Sequence, residues 1–310
     1  MQYLEEFLST PDGHDIPIRL WRPRSTRHIL IIAHGMAEYC ERYAPLAEWL
    51  TESDIAVIAL NHRGHGMDCD DTKLGYFADH RGWTRVVDDL HQAVCFAKAQ
   101  IPDCPITLLG HSMGSFIGQS YLQAYGDSVS QVIFSASNRV DRPKLLISQA
   151  LIAVIAALKG RRATSGLIDF LSFGQFNRPF RPNRTASDWL SRDAEQVDAY
   201  IDDPYCGFSC SLGLWQDFIG GMLTLQPASW PSTVPIHLLS GSADPVGEFG
   251  RGIERFAGQL RRAKRPLVSY KLYPEARHEI INETNADEVW EDIRALVLHG
   301  RLSDAPEHSN

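Results

Sequence analysis

A serine, an aspartate and a histidine, each just past a short apolar run, carry the chemistry legible in this chain. The serine is Ser112, within Gly110-His111-Ser112-Met113-Gly114. The run Pro105-Ile106-Thr107-Leu108-Leu109 predicts a buried strand before it, and residues 115–125 predict a helix after it. A serine at so sharp a strand-to-helix turn is held in a strained conformation, with its hydroxyl at the carboxyl edge of a sheet. Gly110 and Gly114 are needed because a side chain at either position would collide where strand and helix pass. By chance the pentapeptide pattern occurs in roughly one chain in ten of this length at average glycine usage, so it decides nothing alone.

A nucleophilic serine needs a base, and the base needs an orienting carboxylate. The apolar strand Pro235-Ile236-His237-Leu238-Leu239-Ser240-Gly241 runs into Ser242-Ala243-Asp244-Pro245. Asp244 therefore falls past a strand's carboxyl end, where parallel sheets gather their ligands. Leu267-Val268-Ser269-Tyr270-Lys271-Leu272-Tyr273 is a further strand, and His278 follows it, ahead of a helix expected over about 283–298. One histidine among twelve is usually structural, and an Asp-Pro pair is usually a turn. Three such residues at three strand ends, in the order Ser, Asp, His, match strand-turn-helix hydrolases. Ser112, Asp244 and His278 are thus the candidate catalytic residues. Acyl transfer also needs donors for a developing oxyanion. One is the backbone N–H of Met113. The other is expected from His34-Gly35-Met36, after the strand 29–33, with Gly35 letting the chain turn so that the Met36 N–H faces the site. This chemistry requires no metal or organic cofactor.

His34-Gly35-Met36-Ala37-Glu38-Tyr39-Cys40-Glu41-Arg42-Tyr43 resembles the HGxxEHxxRY segment of the monoacylglycerol lipase and lysophospholipase group of α/β-hydrolases, the serine aminopeptidase S33-like set. Asn61-His62-Arg63-Gly64-His65-Gly66 is similar to that group's DHxGHG segment, with Asn61 where Asp is usual. With the serine pentapeptide, Asp244-Pro245-Val246 and His278-Glu279, the resemblance spans roughly residues 3–297. It implies an α/β-hydrolase fold with a cap, esterase activity on monoacyl lipids, and Met36 and Met113 as oxyanion donors. Tyr39 stands where the family often has His, a change expected to touch packing and not chemistry. Glu38 and Arg42 read as loop-stabilising, and His62, Arg63 and His65 as a turn network, not a metal cluster.

The remaining composition is that of a globular enzyme: 310 residues, 44% hydrophobic and 22% charged. A formal charge of −8, with no extended basic face, argues against a nucleic-acid partner. The basic cluster over 261–265 reads as a solvated helix end. Six cysteines form no C-x-x-C pair, and Cys206 and Cys210 are spaced for one helix face without partner ligands for zinc. The acidic start, Met1-Gln2-Tyr3-Leu4-Glu5-Glu6, lacks a signal-peptide run, so a cytoplasmic protein is expected, with peripheral contact at the inner membrane as an extension.

To position the three residues, the chain must alternate. A hairpin is expected at 3–9 and 16–21, then strands at 29–33, 55–60, 105–109 and 130–135, with helices at 43–52, 83–99 and 115–125 between them. This predicts an α/β fold, a mostly parallel sheet with helices on both faces. Between about 138 and 232 the alternation fails and the texture is helical. The reading is a hydrolase core at 1–137 and 233–302, a helical cap at 138–232, and a disordered tail at 303–310. The cap's aromatics (Phe170, Phe173, Phe176, Phe180, Trp189, Tyr205, Phe208, Trp215, Phe218) suit either an acyl tunnel or a second core. Residues 145–158 are apolar almost all round. As a helix they rise about 21 Å, short of the roughly 30 Å hydrocarbon layer. Two accounts stand: a helix buried on the core, or a peripheral membrane contact flanked by Arg142, Lys144, Lys159, Arg161 and Arg162. The second predicts that Ile152→Glu weakens vesicle binding.

The partner implied is a small lipid ester, and the function a serine carboxylic-ester hydrolase working through an acyl-enzyme, as a lysophospholipase or monoacylglycerol lipase. Two rivals stand beside it. An aminopeptidase or amidase on the same scaffold would use cap acids (Asp188, Asp193, Glu195, Asp198, Asp202, Asp203) to hold a free amine. A non-catalytic hydrolase-like receptor would be expected to lack a member of the triad, and none is missing.

Overall fold

The computed structural model describes residues 1–303. Eight strands form one sheet: β1 (Gln2–Ser9), β2 (Asp15–Arg22), β3 (His28–Ala33), β4 (Ile55–Leu60), β5 (Ile106–His111), β6 (Gln131–Ser135), β7 (Ile236–Gly241) and β8 (Leu267–Tyr273). Their spatial order is β1-β2-β4-β3-β5-β6-β7-β8. β2 pairs antiparallel with β1 and β4, and every other neighbour is parallel. The helices are α1 (Ala44–Thr51), α2 (Gly82–Gln100), α3 (Met113–Tyr125), α4 (Arg142–Lys159), α5 (Gly166–Asp169), α6 (Ala194–Asp202), α7 (Leu212–Thr224), α8 (Arg251–Arg262) and α9 (Ala286–His299). The α/β class expected from the alternation is the one adopted.

Parallel strands covered on both faces read as unbroken apolar runs, and β3 shows the reason. Ile29, Ile31 and Ala33 enter a core layer with Val86 and Leu90 of α2 and Ile117 of α3. Leu30 and Ile32 enter the opposite layer with Leu46 and Leu50 of α1 and Val289 and Ile293 of α9. The strand's period of two feeds both layers at once.

Several expectations need correction. β5 continues past Leu109 to His111, because Gly110 and His111 still pair with Phe134 and Ser135, and α3 begins at Met113. Cys206 and Cys210 are on no helix; they lie in the loop between α6 and α7. Of the expected tail, Ser303 is held, its N–H and Oγ donating to Asp292 Oδ1 at 3.2 and 2.6 Å; the rest lies outside the described residues.

The helix expected over 145–158 is α4, lengthened at its start by Pro143 in the first turn and by Asp141, whose carboxylate accepts the Lys144 N–H at 3.4 Å. It packs on α7. Ile152 is 2% exposed, whereas Ile147, Val154 and Leu158 are 73, 60 and 82% exposed. The helix is therefore buried along one face, as the first account expects, and exposed along the other. Among the described residues, no helix is long and apolar enough to cross a membrane.

Candidate active site

Ser112 sits between the last residue of β5 and the first of α3, with φ 50° and ψ −117°. For a residue with a Cβ this is a strained backbone, held by its surroundings. Its N–H donates to Ser135 O on β6 at 3.0 Å, and its carbonyl accepts from Ser115 Oγ at 2.6 Å. Ser115 in turn reaches Ser137 Oγ at 2.8 Å, which Gln119 Nε2 also meets at 3.0 Å. The glycines serve clearance, as expected. A Cβ on Gly114 would lie 2.0 Å from Ala33 O, and one on Gly110 would lie 2.5 Å from Gly114 O.

The three candidate residues meet. His278 Nε2 is 2.9 Å from Ser112 Oγ, and His278 Nδ1 is 3.0 Å from Asp244 Oδ1. A carboxylate only accepts, so Nδ1 carries the proton and Nε2 is left to accept from the serine hydroxyl. Asp244 is fully buried and fixed by accepting the Val246 N–H at 2.8 Å. Burial alone would depress the His278 pKa, but the Asp244 carboxylate outweighs it and the net shift is upward.

Met36 and Met113 border the same cavity as Ser112. Met113 opens α3, so its N–H has no acceptor within the helix. Gly35 does not make the turn as expected: the left-handed residue is Ala37, at φ 55°. Gly35 is needed for space, since a Cβ there would lie 2.6 Å from Glu38 Oε1 and 3.3 Å from Ser112 Cβ.

Glu38 and Arg42 do brace this loop. Glu38 Oε1 accepts the Gly35 N–H at 2.6 Å and the Tyr43 hydroxyl at 3.1 Å. Arg42 donates to Glu38 at 3.0 Å and grips Glu279 with two bonds of 2.7 and 2.6 Å. Burial would raise the Glu279 carboxyl, yet Arg42 holds it at about 2. Arg63 pairs with Asp89 and Asp12, and His62 and His65 pack on His34. Among the described residues, no group of three or more His, Cys, Asp or Glu is arranged to hold a metal ion.

Two features escape sequence reasoning. Arg42 and Glu279 are 237 positions apart, and only the place of Glu279 beside His278 hinted at a role. Nor does any motif mark Trp189 and Leu190, whose carbonyls accept the N–H groups of His278 at 3.4 Å and Glu279 at 2.7 Å. The Trp189 ring also lies 4.9 Å from that of His278.

Above Ser112 is a cavity of about 210 Å³. Phe116, Phe173, Trp215, Phe218 and Met222 make its apolar wall, and Arg139, Asp141, Lys144 and Glu248 its polar border. Phe173, Phe176, Trp189, Trp215 and Phe218 thus border the cavity, while Phe208 packs on His65 and Phe170 is exposed.

A strained serine on a strand-to-helix turn, backed by a buried His–Asp pair in an eight-stranded α/β sheet, defines the class of α/β serine hydrolases. The chain belongs to the family described as serine aminopeptidase, S33, which matches residues 24–285. It is 34% identical over 284 residues to a monoglyceride lipase homolog of Monkeypox virus, covering 91% of this chain and 92% of the other. It is 28% identical over 293 residues to a monoacylglycerol lipase of Mycolicibacterium smegmatis, covering 92 and 94%. In structure it is similar to a thermostable carboxyl esterase from Bacillus coagulans in complex with glycerol (TM-score 0.88, 25% identity, covering 96 and 98%).

Proposed function

We propose that the protein is a serine carboxylic-ester hydrolase of monoacyl lipids, a monoacylglycerol lipase or lysophospholipase, with residues 138–232 as its cap. The observation that carries this reading is the Ser112–His278 contact of 2.9 Å at the foot of an aromatic-walled cavity. At about 210 Å³ the cavity is smaller than the roughly 300–1,000 Å³ of drug-sized ligand sites. It suits one acyl chain better than a three-chain ester.

Ser112 attacks the ester carbonyl as His278 takes its proton, and Asp244 keeps the histidine in the tautomer that can do so. The Met36 and Met113 amides hold the oxyanion. His278 then protonates the leaving alcohol, and water activated by the same ring releases the fatty acid. The relatives named as lipases support the substrate class. The amidase rival loses much of its support, because four of the six expected amine-binding acids are engaged elsewhere. Asp188 and Asp193 cap turns and α6, Asp198 pairs with Arg184, and Asp203 accepts from Tyr39.

A panel of monoacylglycerols, lysophospholipids, short p-nitrophenyl esters and aminoacyl p-nitroanilides tests the reading, with Ser112→Ala as the blank. Turnover of the lipid monoesters well above the anilides is expected; preference for the anilides would overturn the substrate assignment. The pH profile tests the base. Because His278 works unprotonated and its pKa is raised, kcat/KM should climb with pH through a midpoint above 6.5. A midpoint at or below 6.5 would contradict Asp244's role.

The exposed stripe of α4 supports peripheral contact with an anionic lipid surface. Arg142 and Lys144 at its start and Lys159 at its end are exposed cations, while Arg161 and Arg162 pair with Asp217 and Asp79. Ile152 faces the protein, so the informative substitution moves to Ile147. Loss of one inserted aliphatic side chain, about 1.5–3 kcal/mol, predicts that Ile147→Glu weakens binding to anionic phospholipid vesicles about tenfold or more. Hydrolysis of a short soluble ester should be unchanged. Unaltered vesicle binding would remove α4 from the contact.

A further inference from the structure

The Gly35 carbonyl and the Met36 N–H belong to one peptide unit. That unit is trans, so the two groups point in opposite directions. The carbonyl lies 2.7 Å from His34 Nδ1. The other ring nitrogen, Nε2, lies 3.0 Å from the backbone nitrogen of His62, which can only donate. Nε2 is therefore an acceptor, and the proton of the neutral ring sits on Nδ1, directed at Gly35. The ring is fully buried, which lowers its pKa to about 3 and keeps it in this one-proton form at working pH. The N–H of Gly35 is taken separately by Glu38 at 2.6 Å. Both peptide groups that flank Gly35 are thus pinned. Without such pins, glycine's backbone freedom would let the Gly35–Met36 peptide rotate and withdraw its N–H.

We propose that His34 is the positioning residue of the oxyanion hole: by holding the Gly35 carbonyl on the side away from Ser112, it turns the Met36 N–H toward the oxygen that becomes charged. This rests on the serine-hydrolase reading above. His34 itself touches no substrate. Its tautomer is set by the first residue pair after β4, so the loop after one strand orders the loop after its neighbour.

The test compares a p-nitrophenyl ester with its thiono analogue, in which the carbonyl oxygen is sulfur, a poor acceptor. Wild type should prefer the oxygen ester. His34→Ala is expected to lower kcat on that ester about 10²–10³-fold, the usual loss of one oxyanion donor, with KM little changed. It should also collapse the oxygen-to-sulfur preference. In His34→Asn the side-chain amide N–H stands close to the place of Nδ1–H, so that variant should recover much of both rate and preference. If the alanine protein does not fold, His34→Leu, similar in shape to Asn without its donor, replaces it. A preference that survives removal of the donor, or an Asn variant as damaged as Leu, would overturn the proposal. Turnover that persists in Ser112→Ala would instead overturn the hydrolase reading on which it rests.

Discussion

Ser112→Ala should lower kcat on a short ester by about 10⁴–10⁶-fold while leaving thermal unfolding unchanged. The size follows from the geometry. Among the described residues, Ser112 Oγ is the oxygen that His278 Nε2 meets, at 2.9 Å. His278→Ala should cost a similar factor, and the double variant scarcely more, because the two act as one unit. Asp244→Asn should cost about 10⁴-fold. An amide at 244 can donate to Nδ1, which moves the ring proton to Nε2 and aims it at the hydroxyl it should be accepting from. Stopped-flow acylation with a p-nitrophenyl ester, and fluorophosphonate labelling of each variant, read these losses directly. Additive losses in the double variant would mean that the pair does not act on the same step.

Arg42→Met should destabilise the fold by about 3–5 kcal/mol, since it leaves Glu279 buried with its charge uncompensated. The sign of the acid response separates this from a packing defect. In the wild type the Glu279 carboxyl is held at about 2, below its ordinary 4.5. The stability it contributes is full above 4.5 and is lost as the pH falls toward 2. In the variant the unpaired carboxyl would titrate above 4.5, so acidification should narrow the gap between the two proteins. Arg42→Met with Glu279→Gln should regain much of the loss. Denaturant unfolding at pH 7 and pH 4 measures all three proteins. A deficit that is the same at both pH values, and is not relieved in the double variant, would assign the cost to packing.

The fold was legible wherever local pattern coincided with global burial. β3 and β4 are apolar throughout because both sheet faces are covered, and their limits fall within a residue of those read from the pattern. Ser112 and Asp244 could be picked out because each follows such a strand, and His278 because it follows β8, an edge strand that is only partly buried. The helix α4 was legible but its buried face was not, since its composition is apolar on both faces while only the Ile152–Ala156 stripe is buried. Gly35 was misread in mechanism: its need is room beside Ser112, which spacing along the chain does not record. The His34–His62 bond depends on β3 and β4 becoming neighbours, and the Arg42–Glu279 clamp on the loops after β3 and β8 meeting above the sheet edge. Three strands separate β3 from β8, so the clamp joins loops distant along the sheet edge; neither relation has a local signature.

The hydrogen bonds from His278 and Glu279 to the carbonyls of Trp189 and Leu190 bear on protein engineering. Caps are natural cassettes for exchange between relatives when a new substrate range is wanted. Here a graft cut through residues 189–190 would remove the seat of the base along with the pocket wall. Chimeras that retain the native 189–190 backbone while exchanging α4 and α5 should therefore preserve turnover better than replacement of the whole proposed cap, residues 138–232.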